Sequence, residues 1–165
     1  MVIILKEIYK FDPDVVVGVG GGSVIDIAKI LTAILDFDAE KRPVDELIYI
    51  IQASKADKIN KKKKKLILMP TTAGSGAEAT GFAVIYFGTK KYSFISPRLI
   101  ADFVICDSDL ICDAPTKVLA SSAMDAIAQS IESYWARGAN DESRAYALQA
   151  LKLMWDNSKV AIKNR

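Results

Sequence analysis

The residues best suited to chemistry lie in the string Gly18-x-Gly20-Gly21-Gly22-Ser23-x-x-Asp26-x-x-Lys29. Its glycines let the backbone turn tightly and lie close to a ligand with no Cβ atoms in the way. The run before it, Val15 to Val19, reads as a strand buried on both faces, as in a parallel sheet. After it, Val24, Ile27, Ala28, Leu31, Ile34 and Leu35 recur with helical period and form one apolar face. Ser23 stands where an N-cap belongs, and Asp26 three residues on completes a Ser-x-x-Asp capping box. A strand, a glycine turn and a helix N-terminus make an anion site from unpaired amides and the positive end of the helix dipole. The anion that suits it best is the diphosphate of a dinucleotide. Gly18-x-Gly20-x-x-Ser23 lacks the third glycine of the usual dinucleotide fingerprint, so the glycines alone fit a plain strand-to-helix turn as well.

Two further constellations follow. Leu66 to Met69 reads as the next strand of a βαβ unit, with a right-handed crossover expected. It runs into Pro70-Thr71-Thr72-Ala73-Gly74-Ser75-Gly76-Ala77-Glu78-Ala79-Thr80. Loops after parallel strands emerge at the same sheet edge, so Thr71, Thr72 and Ser75 are expected to meet the same ligand as Gly20 to Ser23. Taken alone, this stretch is also a Thr/Ser/Gly surface loop. Farther on, Asp125, Gln129 and Glu132 fall at i, i+4 and i+7 and share one helix face. Spacing alone allows a polar stripe beside a core seam.

Composition narrows the field. Half of the 165 residues are apolar, a quarter are charged, and the net charge is +2. That balance describes a globular protein with no general attraction to nucleic acid or membrane. No apolar run reaches the roughly 18 residues a membrane helix needs. Met1 to Phe11 is too short and too mixed in charge for a signal peptide. Cys106 and Cys112 are most simply reduced thiols, as expected of a cytoplasmic chain. There is no histidine, which removes the commonest transition-metal ligand and the commonest acid–base residue together.

The elements that must position these residues run as follows. Val2 to Phe11 reads as a short amphipathic helix ended by Asp12-Pro13-Asp14. Asp36 to Arg42 closes the helix after the glycine turn, and Pro43 to Ile51 reads as a short surface helix. The five lysines from Lys61 to Lys65 lack interleaved aromatics and read as a solvated loop. Gly81 to Phe87 and Lys91 to Ile95 make a hairpin turned at Gly88-Thr89-Lys90, and Ala101 to Cys106 is another short strand. From Pro115 the period is helical: one helix from about Ser121 or Ser122 to Ala136, then a last one capped by Asn140. The expected architecture is α/β: a parallel sheet with a small β-hairpin, then the first helices of an all-α domain. The expected domains are 1–107 and 108–165.

The full string Gly20-Gly21-Gly22-Ser23-x-x-Asp26-x-x-Lys29 resembles the cofactor loop of the iron-containing (group III) alcohol dehydrogenases. Pro70 to Glu78 is similar to that family's second loop, and Met124 to Glu132 to its first metal-ligand segment, with Gln129 where the family carries a histidine. The resemblance implies a Rossmann-like sheet, with Gly21, Gly22, Ser23 and Asp26 around the diphosphate. Thr71, Thr72 and Ser75 would contact NAD or NADP, and Lys91 would reach the nucleotide. Asp125 and Gln129 would stand at ligand positions for Fe²⁺ or Zn²⁺, and no residue is assigned a catalytic role. Finer similarity at Phe82 to Tyr86, Lys90 to Ser93 and Ile131 to Trp135 points to a subgroup that reduces phosphonoacetaldehyde. The whole enzyme would pass a hydride between nicotinamide and a small aldehyde or alcohol. This chain corresponds to its central portion, and is expected to be inactive alone and to form a homo-oligomer, most simply a dimer. The competing readings are a non-catalytic dinucleotide- or phosphate-binding fragment and a structural piece that needs a partner.

Overall fold

Strand β1 (Val15–Gly20) delivers the chain into the glycine turn, and α1 (Gly22–Leu35) carries it away. The computed structural model describes residues 7–8, 10–35, 49, 64–87 and 89–163. Most of the expected helix over 2–11, the helix end at 36–42, nearly all of the surface helix at 43–51 and the lysines 61–63 lie outside them. Strand β2 (Lys65–Pro70) runs parallel to β1, with Val15 opposite Lys65 and Gly20 opposite Pro70. Both strands therefore bring their carboxyl ends to one edge of the sheet, the edge where open α/β sheets bind ligands. A short β5 (Phe103–Val104) adds in parallel on the other side of β2, giving the order β1-β2-β5. Asp102 fixes its start: Oδ2 accepts from the Leu66 amide at 2.8 Å and Oδ1 from Lys65 Nζ at 3.3 Å.

The core lies on one face of this sheet, where Val16, Leu66 and Leu68 meet Ile25, Ala28 and Leu35 of α1. The other face differs from expectation. Val15, Val17 and Val19 are about half exposed, so β1 is covered on one side only among the described residues. Gly18 belongs to the covered side, and it is what lets strand and helix meet. A Cβ there would stand 2.7 Å from Ala28 Cβ and 2.9 Å from a Leu68 methyl.

Two antiparallel strands, β3 (Phe82–Phe87) and β4 (Lys90–Ile95), form the expected hairpin, and β3 packs on α1. Phe87 pairs with Lys90, leaving only residues 88 and 89 between the strands. The turn is one residue shorter than expected, and Lys90 joins the ladder.

The chain divides into two compact units, residues 1–70 with 77–106, and residues 71–76 with 107–165. The second unit is built on α2 (Asp109–Cys112), α3 (Thr116–Trp135) and α4 (Asp141–Lys163), with α3 and α4 packed together. Helix α3 starts five residues before the earlier of its expected starts, because Pro115 O accepts from the amides of Val118 and Leu119 at 2.8 and 3.1 Å. Ser121 lies inside the helix rather than at its start. Its Oγ donates to Val118 O at 3.0 Å inside the helix. Asn140 caps α4 as expected: its Oδ1 accepts from the Ser143 amide at 2.8 Å, and Ser143 Oγ accepts from the Asn140 amide at 3.0 Å.

Candidate functional site

The glycine turn is tighter than the sequence implied. Gly21 O accepts from the amides of Val24 and Ile25 at 2.9 and 3.1 Å, so Gly21 is the cap and α1 begins at Gly22. Ser23 therefore lies within the first turn, exposed, and the Ser23–Asp26 capping box does not form. Gly20 has no room for a side chain, since a Cβ would sit 2.7 Å from Val24 Cβ. The amides of Gly22 and Ser23 have no carbonyl one turn back within the helix. No acidic residue occupies the first turn to compete for them. Two donors and the helix dipole thus favour an anion beside Ser23.

Asp26 and Lys29 turn instead to the segment 77–84. Asp26 Oδ2 accepts from the Val84 amide at 3.0 Å. Lys29 is fully buried, and its ammonium donates to Ala77 O, to Phe82 O at 2.8 Å and to Thr80 Oγ1 at 3.3 Å. Burial pushes the Asp26 carboxyl above its ordinary value, against the Val84 amide and the Lys29 charge, which pull it down. Burial likewise pushes the Lys29 ammonium below its ordinary value, against the nearby Asp26 and Glu78. Sequence reasoning missed this role of Lys29. The available signal was a lysine between Ala28 and Ile30 in a helix apolar nearly all round.

The other expected cofactor residues are distributed between the units. Lys91 is exposed on β4, opposite Tyr86, in the same unit as the glycine turn. Thr71, Thr72 and Ser75 are part-buried and belong to the helical unit. Within that unit the loop is seated by Gly74, whose φ of +117° excludes side chains and whose added Cβ would lie 2.2 Å from Ser122 O.

On α3, Gln129 Nε2 donates to Asp125 Oδ2 at 2.8 Å, with both side chains exposed. Glu132 is exposed one turn on. A cavity of about 210 Å³ in the same unit is lined by Gly74, Ser122, Met154 and Asn157 among others, but by neither Asp125 nor Gln129.

The model of the family described as "Iron-containing alcohol dehydrogenase" matches residues 3–108. This chain belongs to that family. It is 34% identical to an alcohol dehydrogenase of Thermococcus barophilus over 92% of its own length and 40% of the relative's. It is 32% identical to a sulfoacetaldehyde reductase of Bilophila wadsworthia, over 96% of this chain and 39% of that one. Among solved structures, an iron-containing alcohol dehydrogenase from Thermococcus thioreducens superposes with a TM-score of 0.85 at 32% identity, covering 99% of this chain and 43% of that one. A sulfoacetaldehyde reductase from Bifidobacterium kashiwanohense in complex with NAD⁺ superposes with a TM-score of 0.87 at 29% identity, covering 98% and 42%. The chain spans about two fifths of the length of these relatives.

The family's iron poses a test for this donor set. A firmly held transition metal takes three or four protein ligands of nitrogen, sulfur or carboxylate type. Asp125 and Gln129 supply one carboxylate and one neutral amide, already bonded to each other. Among the described residues no three His, Cys, Asp or Glu side chains are grouped to hold a metal, and the sequence contains no histidine. These residues do not by themselves fit the metal.

Proposed function

We propose that this chain supplies the dinucleotide-binding part of an NAD(P)-dependent alcohol dehydrogenase of the iron-containing type. The observation that carries the reading is the glycine turn, where Gly21 caps α1 and the helix starts at Gly22, just past the carboxyl end of β1 in a parallel sheet. Gly21, Gly22 and Ser23 hold the diphosphate through main-chain donors, and Lys91 meets the nucleotide. Thr71, Thr72 and Ser75 are assigned to the same cofactor on the family resemblance. The NAD⁺ held by the sulfoacetaldehyde reductase relative supports a nicotinamide dinucleotide. The whole protein's substrate class is a small aldehyde or alcohol. Asp125 and Gln129 are a partial donor set, so the 165 residues alone bind cofactor without turnover.

Titration calorimetry with NADH tests this. Binding should weaken as salt rises, because charge on the diphosphate dominates the contact. Gly21→Val should abolish it by placing a branched side chain at the approach of the diphosphate. Equal affinity in the wild type and G21V, or NADH oxidation by the isolated chain with a short aldehyde and added Fe²⁺ or Zn²⁺, would refute the reading.

A further inference from the structure

Helix α1 is held to the sheet by apolar contacts, and such contacts are non-directional: they resist separation more than sliding or rotation. Polar pins supply direction. Asp26 and Lys29 lie three residues apart on one face of α1, and among the described residues their side chains bond within residues 77–84. Three of their four partners are main-chain atoms: Ala77 O, Phe82 O and the Val84 amide. A bond to main chain fixes a backbone position, whereas a bond to a flexible side chain does not. Lys29 is fully buried with three oxygen acceptors around its ammonium, so it is not placed to touch a ligand or to shuttle a proton.

We propose that Lys29, assisted by Asp26, is a positioning residue for the diphosphate: it locks the rotation and axial setting of α1, and so the direction in which the Gly22 and Ser23 amides point. This rests on the dinucleotide reading above. Gly22 is seven residues from Lys29, roughly 10 Å along a rigid helix, so a pin at one place sets the other. The assignment moves Asp26 from contact with the cofactor to support behind it. It also explains why a lysine, rather than a methionine of similar length, occupies a fully buried site. Methionine would fill the space and leave Ala77 O and Phe82 O without the ammonium.

The experiment compares the 165-residue wild type with Lys29→Met at a temperature where both are folded by circular dichroism. NADH affinity is read by calorimetry, and amide hydrogen exchange by NMR at Val24, Ile25 and Val84, with Leu68 as the core reference. Affinity should fall about tenfold, the scale of losing charge-assisted hydrogen bonds. Exchange at the three pinned amides should accelerate more than at Leu68. Rescue separates the ammonium from mere bulk. Lys29→Cys, in a chain also carrying Cys106→Ser and Cys112→Ser, is aminoethylated while unfolded and then refolded, which should restore most of the affinity. Where K29M fails to fold, Thr80→Val removes one acceptor and should show a smaller loss in the same direction. Undiminished affinity in K29M, or in T80V where K29M does not fold, or a loss that aminoethylation does not recover, overturns the positioning role. Absence of NADH binding by the wild type overturns instead the dinucleotide reading, and exchange at Val24 and Ile25 then decides whether the pin orders the turn.

Discussion

Asp26 and Lys29 show how a pair of opposite charges can shape a site without lending it charge. Burial works against both, raising the carboxyl and lowering the ammonium. The folded chain therefore keeps the Asp26 proton to higher pH than the unfolded chain does. Stability falls as pH rises from the ordinary carboxylate value through the raised one. Lys29 works in the other direction. The unfolded chain holds its proton up to the ordinary 10.5, the folded chain loses it earlier, and stability rises with pH across that interval. Among the described residues the charged groups that face Lys29 are Asp26 on its own helix and Glu78 on the 77–79 turn. Urea unfolding of wild type and K29M over the alkaline range should therefore show the wild type gaining on the variant as pH rises. A difference that stays constant with pH would contradict the assignment of that interval to Lys29.

Among the elements, α1 and α4 owe their placement to different causes. The distance of helix α1 from the sheet is set by close approach: Gly18 brings β1 within contact of Ala28, and a side chain at that position must push helix from strand. Gly18→Val should destabilise the chain by about 1–3 kcal/mol, the usual range for overpacking a filled core. Denaturant unfolding measures it, and an unchanged midpoint would mean that the sheet and helix can separate freely. Helix α4 packs on α3 and is started by its cap, where Asn140 and Ser143 exchange two hydrogen bonds. Asn140→Ala should cost about 1 kcal/mol, in the range for loss of an N-cap. Exchange rates at the Ser143 amide, which bonds the lost side chain, should rise first.

For the whole molecule, the exposed surface matters most. Trp135, Trp155, Tyr146 and Leu153 are more than half exposed on α3 and α4, and Val15, Val17 and Phe103 are exposed on the sheet. Among the described residues β1 pairs only with β2, and no described strand covers its outer edge. Open edges and apolar patches favour self-association, and a twofold arrangement is the simplest closed one. The isolated chain is expected to be a dimer at micromolar concentration by light scattering. Replacing Trp135 and Trp155 with Lys should shift it towards monomer if the helices form the contact, and leave it unchanged if the strand edges do. A wild-type monomer would contradict the expectation altogether.

The sequence by itself determined the strand–glycine turn–helix unit, the hairpin, the Asn140 cap and the family, because each is carried by local spacing, whereas the short helix Asp109–Cys112 had no such signal. It also placed Asp125 and Gln129 on one helix face, where they are found bonded to each other. Local spacing misjudged the facing of α1. Period alone put Val24 and Ile27 on the buried side, yet they are partly exposed, while Ile25, Lys29 and Ile30 are buried. The helix is packed on more than one side, by the sheet and by β3, so a single apolar face does not describe it. Ser23 looked like a cap because serine favours caps, and the second long helix was expected to start only at about Ser121 or Ser122. The carbonyls of Gly21 and Pro115 began those helices earlier. Only the tertiary structure decided what Asp26 and Lys29 do, because their partners lie 48 to 58 residues away along the chain. No local pattern can name the main-chain atom a buried charge will find when a distant segment folds over it.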